Sequence, residues 1–285
     1  MTMRLVMGFM KDHWPCKGFF RMDDQSGKHQ KRANSLGRHL VFLMAKAIRD
    51  YAMIAEGDRV MVCHSGGKDS FALLDLLLAF RKQSPVKFHI VAVGLDQHMP
   101  GFPKQVLPDY FSKLGIESHI IEQDIYGVVK QKIPPGKNMC GLCSRLRRGA
   151  LYRFAEENKM DKVALGHHRD DMVETLFLNL FYGGKMKAMP PKLLTDSKKN
   201  ILIRPMAYIS EEDLARYARL MEFPVIPGNL CGAGESTQRQ VVKSMLSTWK
   251  KEFPGRVETI FNSMQHIESS QLADMNLFDF KNLSV

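Results

Sequence analysis

Short apolar runs and amphipathic segments follow one another along most of the chain. The apolar runs predict strands at Arg59–Cys63, Lys87–Gly94, Ile116–Ile121, Lys162–Leu165 and Ile201–Ile203. Between them, apolar residues at helical spacing predict helices over Asp69–Arg81, Pro103–Leu114, Ser144–Asn158 and Asp170–Phe181. Regular alternation of strand and helix is typical of an α/β fold, so we expect a doubly wound, mostly parallel sheet.

The segment before the sheet has two parts. Residues 1–35 hold seven basic and three acidic residues without clear periodicity, which predicts a poorly ordered basic arm. Apolar residues from Leu36 to Ala47 have helical spacing and predict one helix. Asn34 or Ser35 is its expected cap, and Gly57 is its expected stop.

The second half of the chain adds two further segments. The polar, lysine-rich stretch 183–200 predicts a mobile surface excursion, and the chain from Ser210 onward has a largely helical pattern. We therefore divide the chain into an arm at 1–35, a core domain at 36–235 and a helical extension at 236–285.

Charge and composition narrow the class of partner. Among 285 residues, 41 Lys and Arg against 30 Asp and Glu give a net charge of +11, which favours a polyanionic partner such as nucleic acid. A solvated basic surface is an equally weighted alternative. No apolar run reaches the roughly 20 residues of a membrane helix, and the run Leu5–Met10 meets Lys11 too soon for a signal peptide. We expect a cytoplasmic protein without a membrane partner.

A glycine-rich turn follows the first predicted strand. Ser65-Gly-Gly-Lys-Asp-Ser70 lies where backbone N–H groups at a helix start converge on an anion. It lacks the Gly-x-x-x-x-Gly-Lys-Ser/Thr spacing of the common nucleotide loop. It resembles instead the loop of the PP-loop ATP pyrophosphatases, which implies that Ser65, Gly66, Gly67, Lys68, Asp69 and Ser70 hold the pyrophosphate of ATP. An incidental Ser/Gly turn is the alternative.

Acidic residues follow two later strands. Gly166-His-His-Arg-Asp-Asp171, with Glu174 beyond it, comes after the Lys162–Leu165 run, where ligands bind in open α/β sheets. Asp170, Asp171 and Glu174 offer oxygen ligands that suit Mg²⁺. Capping of the next helix by Asp170 is the alternative. Asp96, after the second strand, is a weaker candidate for nucleotide or Mg²⁺ contact.

Three of the five cysteines form a candidate metal site. Cys140 and Cys143 form a Cys-x-x-Cys pair, and Cys231 is the obvious third ligand if the fold brings the segments together. Zinc, an iron–sulfur cluster and a redox dithiol are all compatible with these residues. Cys63 is predicted to be a buried hydrophobe, and Cys16 lies in the arm without a partner nearby in sequence.

These motifs together resemble the 2-thiocytidine biosynthesis (TtcA) family of PP-loop enzymes. Further matches are the segments Phe181–Gly184, Met189–Pro191, Ile203–Pro205 and Asn229–Gly232, and the likeness covers roughly residues 35–285. The family often has Cys-Asn-Leu-Cys where this chain has Gly228-Asn-Leu-Cys231.

The resemblance implies a reaction and a set of site residues. The family thiolates cytidine 32 in the tRNA anticodon loop, releasing AMP and pyrophosphate from ATP, with sulfur supplied ultimately by a cysteine desulfurase. It implies that Cys140, Cys143 and Cys231 bind a [4Fe-4S] cluster, that Asp69 belongs to the catalytic set, and that the protein is a homodimer.

Two questions stay open at this stage. The cysteine pair is followed by three arginines, Arg145, Arg147 and Arg148, which are candidates for contact with ATP or with tRNA. For contact with ATP we favour Arg147. A solvated charged face is the alternative.

Two rival functions remain. One is a cluster-free PP-loop enzyme acting on another tRNA base or a small acceptor, and the other is a non-catalytic RNA-binding protein with zinc.

Overall fold

The computed structural model describes residues 27–134, 136–137, 139–228, 230 and 237–283. The strands are β1 (Arg59–His64), β2 (His89–Asp96), β3 (Ser118–Glu122), β4 (Lys162–Ala164), β5 (Lys192–Leu194) and β6 (Ile201–Ile203). The α-helices are α1 (Gly27–Asp50), α2 (Lys68–Gln83), α3 (Val106–Leu114), α4 (Ile125–Lys132), α5 (Cys140–Glu157), α6 (Arg169–Leu178), α7 (Glu211–Leu220), α8 (Thr237–Glu252) and α9 (Arg256–Ser263). A π-helical turn, Asn179–Gly183, extends α6, and short 3-10 turns lie at Ser269–Gln271 and Phe280–Asn282.

The strands form one six-stranded sheet in the order β3-β2-β1-β4-β6-β5. Every neighbouring pair is parallel except β5 with β6, which is antiparallel. This confirms the predicted doubly wound α/β fold. Because β1 lies between β2 and β4, the segments that leave the carboxyl ends of these three strands meet at one edge of the sheet.

Apolar residues cover both faces of the sheet, as parallel strands require. On β1, Val60 and Val62 pack with α1, α2, α7 and the C-terminal helices in the larger buried cluster. Met61, between them, points to the other face and packs with Ala155 of α5 in the smaller cluster. The described helices include none that is long and apolar enough to cross a lipid bilayer.

The helix before the sheet is longer at its start than predicted. It begins at Gly27, not at Asn34 or Ser35, because Ala33, which is 3% exposed, extends the buried stripe towards the N-terminus. It ends at Asp50, before the predicted stop at Gly57. The rest of the predicted arm, residues 1–26 with Cys16, lies outside the described residues.

Two further predictions were wrong about local structure, and one helix, α4, was not predicted. The excursion 183–200 contains β5, which completes the edge of the sheet by pairing with β6. The stretch between β3 and Pro134 forms α4. The Asp124 side chain caps this helix by accepting from the Gly127 N–H at 2.8 Å. Helix α5 begins at Cys140 and not at Ser144, so the cysteine pair lies inside a helix.

Candidate active site

The glycine-rich turn connects β1 to α2 and depends on one glycine in the left-handed region of backbone conformation. Gly66 has a φ of +81°, which favours glycine, and a Cβ at this position would lie 2.7 Å from Cδ1 of Ile226. The Ile226 N–H donates to the Gly66 carbonyl at 2.8 Å, so the chain after α7 holds the turn from behind. The turn is therefore tightly packed on one side.

The other side of the turn presents the start of α2. Gly67 occupies the N-cap position, and among the described residues no side chain caps the helix there. The Gly67 N–H points to Oγ of Ser65 at 3.3 Å, and the Ser70 hydroxyl donates to the Gly67 carbonyl at 2.7 Å. Ser70 is 4% exposed, so its side chain supports the turn from inside and does not face solvent. The first N–H groups of α2 are suited to an anion such as phosphate.

Sequence reasoning overlooked His64, which lies beneath the turn. Its Nδ1 accepts a hydrogen bond from the Gly66 N–H at 3.2 Å and lies 3.4 Å from the Ser70 hydroxyl. The ring is 3% exposed and contacts Phe71 edge-on, with ring centroids 4.4 Å apart. Burial lowers the pKa of His64 to about 3, so the ring is neutral and accepts through Nδ1.

The charged residues of the turn pair with each other and with α7. Nζ of Lys68 donates to both carboxylate oxygens of Asp69 at 2.9 Å and lies 3.7 Å from Oε1 of Glu211. Both Lys68 and Asp69 keep about a third of their side chain exposed. Each is therefore accessible to a ligand that approaches the helix start.

The second motif lies directly against this turn. A Cβ on Gly166 would be 3.4 Å from backbone atoms of Asp69 and Ser70, so the end of β4 and the start of α2 are in close contact. The structure thus brings the two sequence motifs together. His168, not Asp170, caps α6: its side chain accepts from the Asp171 N–H, and Asp171 accepts from the His168 N–H at 3.0 Å.

The acidic residues of α6 pair with cations of α8, which sequence reasoning treated as part of an extension. Lys250 pairs with Asp170, and Arg239 lies 3.6 Å from Asp171 and donates to Glu174 at 3.1 Å. Burial favours a raised pKa at Asp170, but hydrogen bonds from Lys250 and the Glu211 N–H lower the net pKa of this carboxyl.

These partners bear on the predicted Mg²⁺ site. The oxygens of Asp170, Asp171 and Glu174 already accept from protein donors, and the described residues contain no group of three His, Cys, Asp or Glu side chains arranged to hold a metal ion. The acidic cluster does not fit a preformed Mg²⁺ site. Its contact with Mg²⁺ stays a prediction.

Asp96 lies at the end of β2 and is almost fully buried at 2% exposed. Its Oδ1 accepts from the His98 N–H at 2.8 Å, and Nζ of Lys104 lies 2.9 Å from Oδ2. Burial favours a raised pKa, yet these partners bring the net pKa of Asp96 below its usual value. The carboxylate borders a cavity of about 250 Å³, lined also by Leu95, Phe102 and Glu122.

The cysteine pair occupies the first turn of α5. Cys140 is exposed and Cys143 is half-buried, and a spacing of three residues places both thiols on one side of the helix. Sγ of Cys143 lies 3.4 Å from Oε1 of Gln97, which directly follows β2. The start of α5 therefore lies at the same edge of the sheet as the phosphate turn. A helix N-terminus favours thiolate ligands. Cys231 lies outside the described residues.

Arg147, one turn further along α5, lies near the end of β1. Burial raises the pKa of the Cys63 thiol to about 12, and the positive charge of Arg147 offsets part of that rise. Cys63 is half-buried and packs against the smaller buried cluster, which includes Ala155 of α5, in agreement with its prediction as a small hydrophobe. Arg145 and Arg148 are exposed, whereas Arg147 is half-buried.

The chain is similar to known proteins over most of its length. Residues 42–226 match the family model of the PP-loop domain. The tRNA-cytidine(32) 2-sulfurtransferase of Methylococcus capsulatus is 62% identical over 253 residues, which cover 89% of this chain and 88% of that protein. The transferase of the same name from Cellvibrio japonicus is 57% identical, with 90% and 85% covered. The chain belongs to the tRNA-cytidine(32) 2-sulfurtransferase family of PP-loop proteins.

This membership confirms the family inferred from the motifs. A solved structure has the same fold: the U34-tRNA thiolase NcsA from Methanococcus maripaludis with its [4Fe-4S] cluster. It superposes with a TM-score of 0.64 over 89% of this chain and 88% of that chain, at 22% sequence identity. At this identity the likeness concerns the fold alone.

Proposed function

We propose that this chain is an ATP-dependent tRNA sulfurtransferase that converts cytidine 32 to 2-thiocytidine. The observation that carries the proposal is the shared position of the phosphate turn and the Cys140–Cys143 pair at the carboxyl edge of the sheet. The turn that would bind ATP and the two cysteines that would supply thiolate ligands therefore lie at the same edge of the sheet. The relatives at 57 to 62% identity bear the name of this activity, and the net charge of +11 suits a tRNA substrate.

The chain's residues bind and orient ATP for attack at the α-phosphate. The N–H groups at the start of α2 and the Ser65 hydroxyl hold the pyrophosphate portion. Lys68 exchanges its contact with Asp69 for a phosphate oxygen, and Arg147 approaches the nucleotide from α5. Mg²⁺ bound to the polyphosphate would neutralise part of its charge.

The reaction then has two steps that balance. The cytidine O2 attacks the α-phosphate, the bond to the β-phosphate breaks, and pyrophosphate leaves. A hydrosulfide ion (HS⁻) next forms a bond to C2 and releases its proton to solvent, the C2–O2 bond breaks, and AMP leaves with that oxygen. Asp69, at the helix start, positions Lys68 for the phosphates by accepting from its Nζ at 2.9 Å. The base must leave its stack to reach this site, which costs least in a loop.

The donor set suits an iron–sulfur cluster. Two thiols three residues apart at a helix start are the soft ligands that such a cluster needs, and Cys231 supplies the third. Cys140, Cys143 and Cys231 would hold a [4Fe-4S] cluster, which would supply sulfur-transfer chemistry when bound. A cysteine desulfurase supplies the sulfur ultimately as a persulfide, and a thiol reductant reduces it by two electrons to sulfide. The protein acts as a homodimer. The reaction takes place in the cytoplasm with tRNA.

The test is nucleoside mass spectrometry of tRNA together with ATP product analysis. A strain that lacks this protein should lack 2-thiocytidine, and the wild-type gene should restore it, whereas Asp69→Ala should not. Purified protein should release AMP and pyrophosphate only when tRNA is present. Formation of ADP as the tRNA-dependent product, or normal 2-thiocytidine in the deletion strain, would refute the proposal.

A further inference from the structure

A row of contacting aromatic rings crosses the surface from the end of α6 to the end of α8. Ring centroids lie 6.4 Å apart for Tyr182 and Phe181, 5.4 Å for Phe181 and Phe177, and 5.7 Å for Phe177 and Trp249. The Arg256 guanidinium continues the row, 5.8 Å from the Trp249 ring and 3.6 Å from the Phe253 ring. We call this row the aromatic ridge: Phe177, Phe181, Tyr182, Trp249 and Phe253.

Three rings of the aromatic ridge are open to solvent. Phe181 is 54% exposed, Tyr182 is 48% exposed and Phe253 is 44% exposed. Scattered exposed apolar residues are normal, but a contiguous exposed patch marks an interaction surface. The half-buried Phe177 and Trp249 support the outer rings from below. The rings therefore stand on a packed base with their outer surfaces accessible.

The segment that carries Phe181 and Tyr182 is basic, whereas Glu252 precedes Phe253 at the other end of the ridge. The sequence from Thr175 to Thr195 contains no acidic residue and three lysines, Lys185, Lys187 and Lys192. All three lysines are exposed, as is Arg256. Exposed aromatic faces beside lysine and arginine are the composition that binds single-stranded nucleic acid, because bases stack on the rings while cations contact the phosphates.

The aromatic ridge is joined to the active site through α6. This helix starts with Arg169 and Asp170 at the site, and at 1.5 Å per residue its last turn lies about 15 Å away. The loop beyond it is held at both ends: Asn179 donates to the Lys187 carbonyl at 2.8 Å, and the guanidinium of the buried Arg204 donates to the Pro190 carbonyl at 2.5 Å. A few nucleotides of RNA would be long enough to span the distance between the aromatic ridge and the active site.

We infer that the aromatic ridge is a stacking platform for unpaired nucleotides of the tRNA anticodon loop, with Lys185 and Lys187 against their phosphates. The inference rests on the proposed function and adds to it the surface that orients the loop. A second copy of this chain fits the surface less well. In a two-fold interface the same patch meets its own copy, so two patches with the lysines Lys185 and Lys187 would face each other and repel.

Binding measurements on the full-length protein test this inference. Fluorescence anisotropy would compare an anticodon stem-loop RNA that carries a cytidine at position 32 with a blunt duplex RNA of the same length. Phe181→Ala and Tyr182→Ala should each weaken stem-loop binding about tenfold, since base stacking on a ring is worth about that much. Duplex binding should change little, because a duplex has no free base to stack.

Two matched variants sharpen the result. Phe42→Ala removes another ring on α1, 41% exposed, and should leave binding of both RNAs unchanged. The double variant Lys185→Glu, Lys187→Glu should weaken binding of both RNAs and flatten the dependence of log affinity on log salt, because fewer counterions are released.

Each outcome separates the inference from the proposed function. Stem-loop affinity that is unchanged in Phe181→Ala, Tyr182→Ala would overturn the inference even if the wild type thiolates tRNA. Unchanged affinity with a shift from dimer to monomer in analytical ultracentrifugation would assign the surface to a second copy instead. Failure of the wild type to thiolate tRNA would count against the proposed function, whatever the aromatic ridge binds.

Discussion

Nε of Arg239 donates to Oε2 of Glu174 across 3.1 Å and joins α8 to the helix that follows β4. The Glu174 side chain is only 7% exposed, whereas Arg239 keeps 39% of its side chain exposed. Burial raises the pKa of Glu174, and the Arg239 guanidinium limits that rise. The carboxylate therefore depends on a cation that sits sixty-five residues further along the chain.

Removal of that cation should destabilise the fold. We expect Arg239→Met to lower the free energy of unfolding by about 1 to 3 kcal/mol, because it leaves a buried carboxylate without its charged donor. Urea unfolding at pH 7.5 measures the loss. The double variant Glu174→Gln, Arg239→Met should recover part of it. In Arg239→Met the pKa of Glu174 rises further, so the difference from wild type should shrink as the pH falls and Glu174 takes up a proton. A constant difference across pH would contradict this reading.

The two glycines of the phosphate turn should respond differently to alanine. Gly66→Ala meets both a φ of +81° and a contact of 2.7 Å with Ile226, so we expect a loss of about 1 to 3 kcal/mol in stability and loss of ATP binding. Gly67→Ala is the matched control for the fold. Its φ is −79° and its nearest neighbour, Oγ of Ser65, would lie 3.4 Å away. Equal destabilisation of both variants in urea unfolding would argue against a strained Gly66.

The buried His64 should make stability depend on pH. Its pKa is about 3 in the folded chain and about 6.5 when unfolded, so the unfolded chain binds more protons between these values. The contribution of the neutral His64 to the free energy of unfolding is fully present above pH 6.5 and is lost as the pH falls towards 3. We expect His64 to account for about 2 kcal/mol of loss between pH 8 and pH 5. His64→Leu should remove that part of the pH dependence in urea unfolding. An unchanged pH profile in this variant would show that the ring does not titrate as a buried group.

Iron content should depend on three cysteines and not on a fourth. Cys140→Ala, Cys143→Ala and Cys231→Ala should each abolish thiolation and destabilise the cluster in anaerobically prepared protein, because two thiolates then remain. Cys63→Ala is the control, since Cys63 packs against α5 and should leave the cluster intact. Iron and sulfide analysis with Mössbauer spectra provides the measurement. Stoichiometric zinc without sulfide, or full activity in Cys231→Ala, would contradict the cluster assignment.

The sheet could be predicted from the sequence because its central strands carry their own signal. Val60, Met61 and Val62 are all fully buried, so β1 is apolar on both faces and bounded by polar residues. β5 gave no such signal, because Leu193 and Leu194 are exposed at 41% and 50%. Only pairing with β6 makes this segment a strand, and that pairing joins residues which local pattern does not connect.

The candidate site was predicted where its residues are contiguous and missed where the fold assembles it. The turn Ser65–Ser70 and the motif after β4 could be read directly. His64 was overlooked because a histidine before the turn carries no pattern of its own. Arg239, Lys243 and Lys250 have spacings of four and eleven residues, which place them on one side of a helix. The acidic partners of these cations could not be predicted from the sequence, because they are determined by the packing of α8 against α6.

The three cations of α8 change how its unfolding must proceed. Arg239, Lys243 and Lys250 pair with Glu174, Glu211 and Asp170, carboxylates on the two helices that flank the phosphate turn. If α8 detached, Glu174, Glu211 and Asp170 would lose their cationic partners at the same time. We therefore expect this helix and the ATP site to open locally in one cooperative event. Amide protons of α8 and of the start of α6 would then exchange with solvent at matched rates, and a chain cut at residue 235 would lose the site along with the helix.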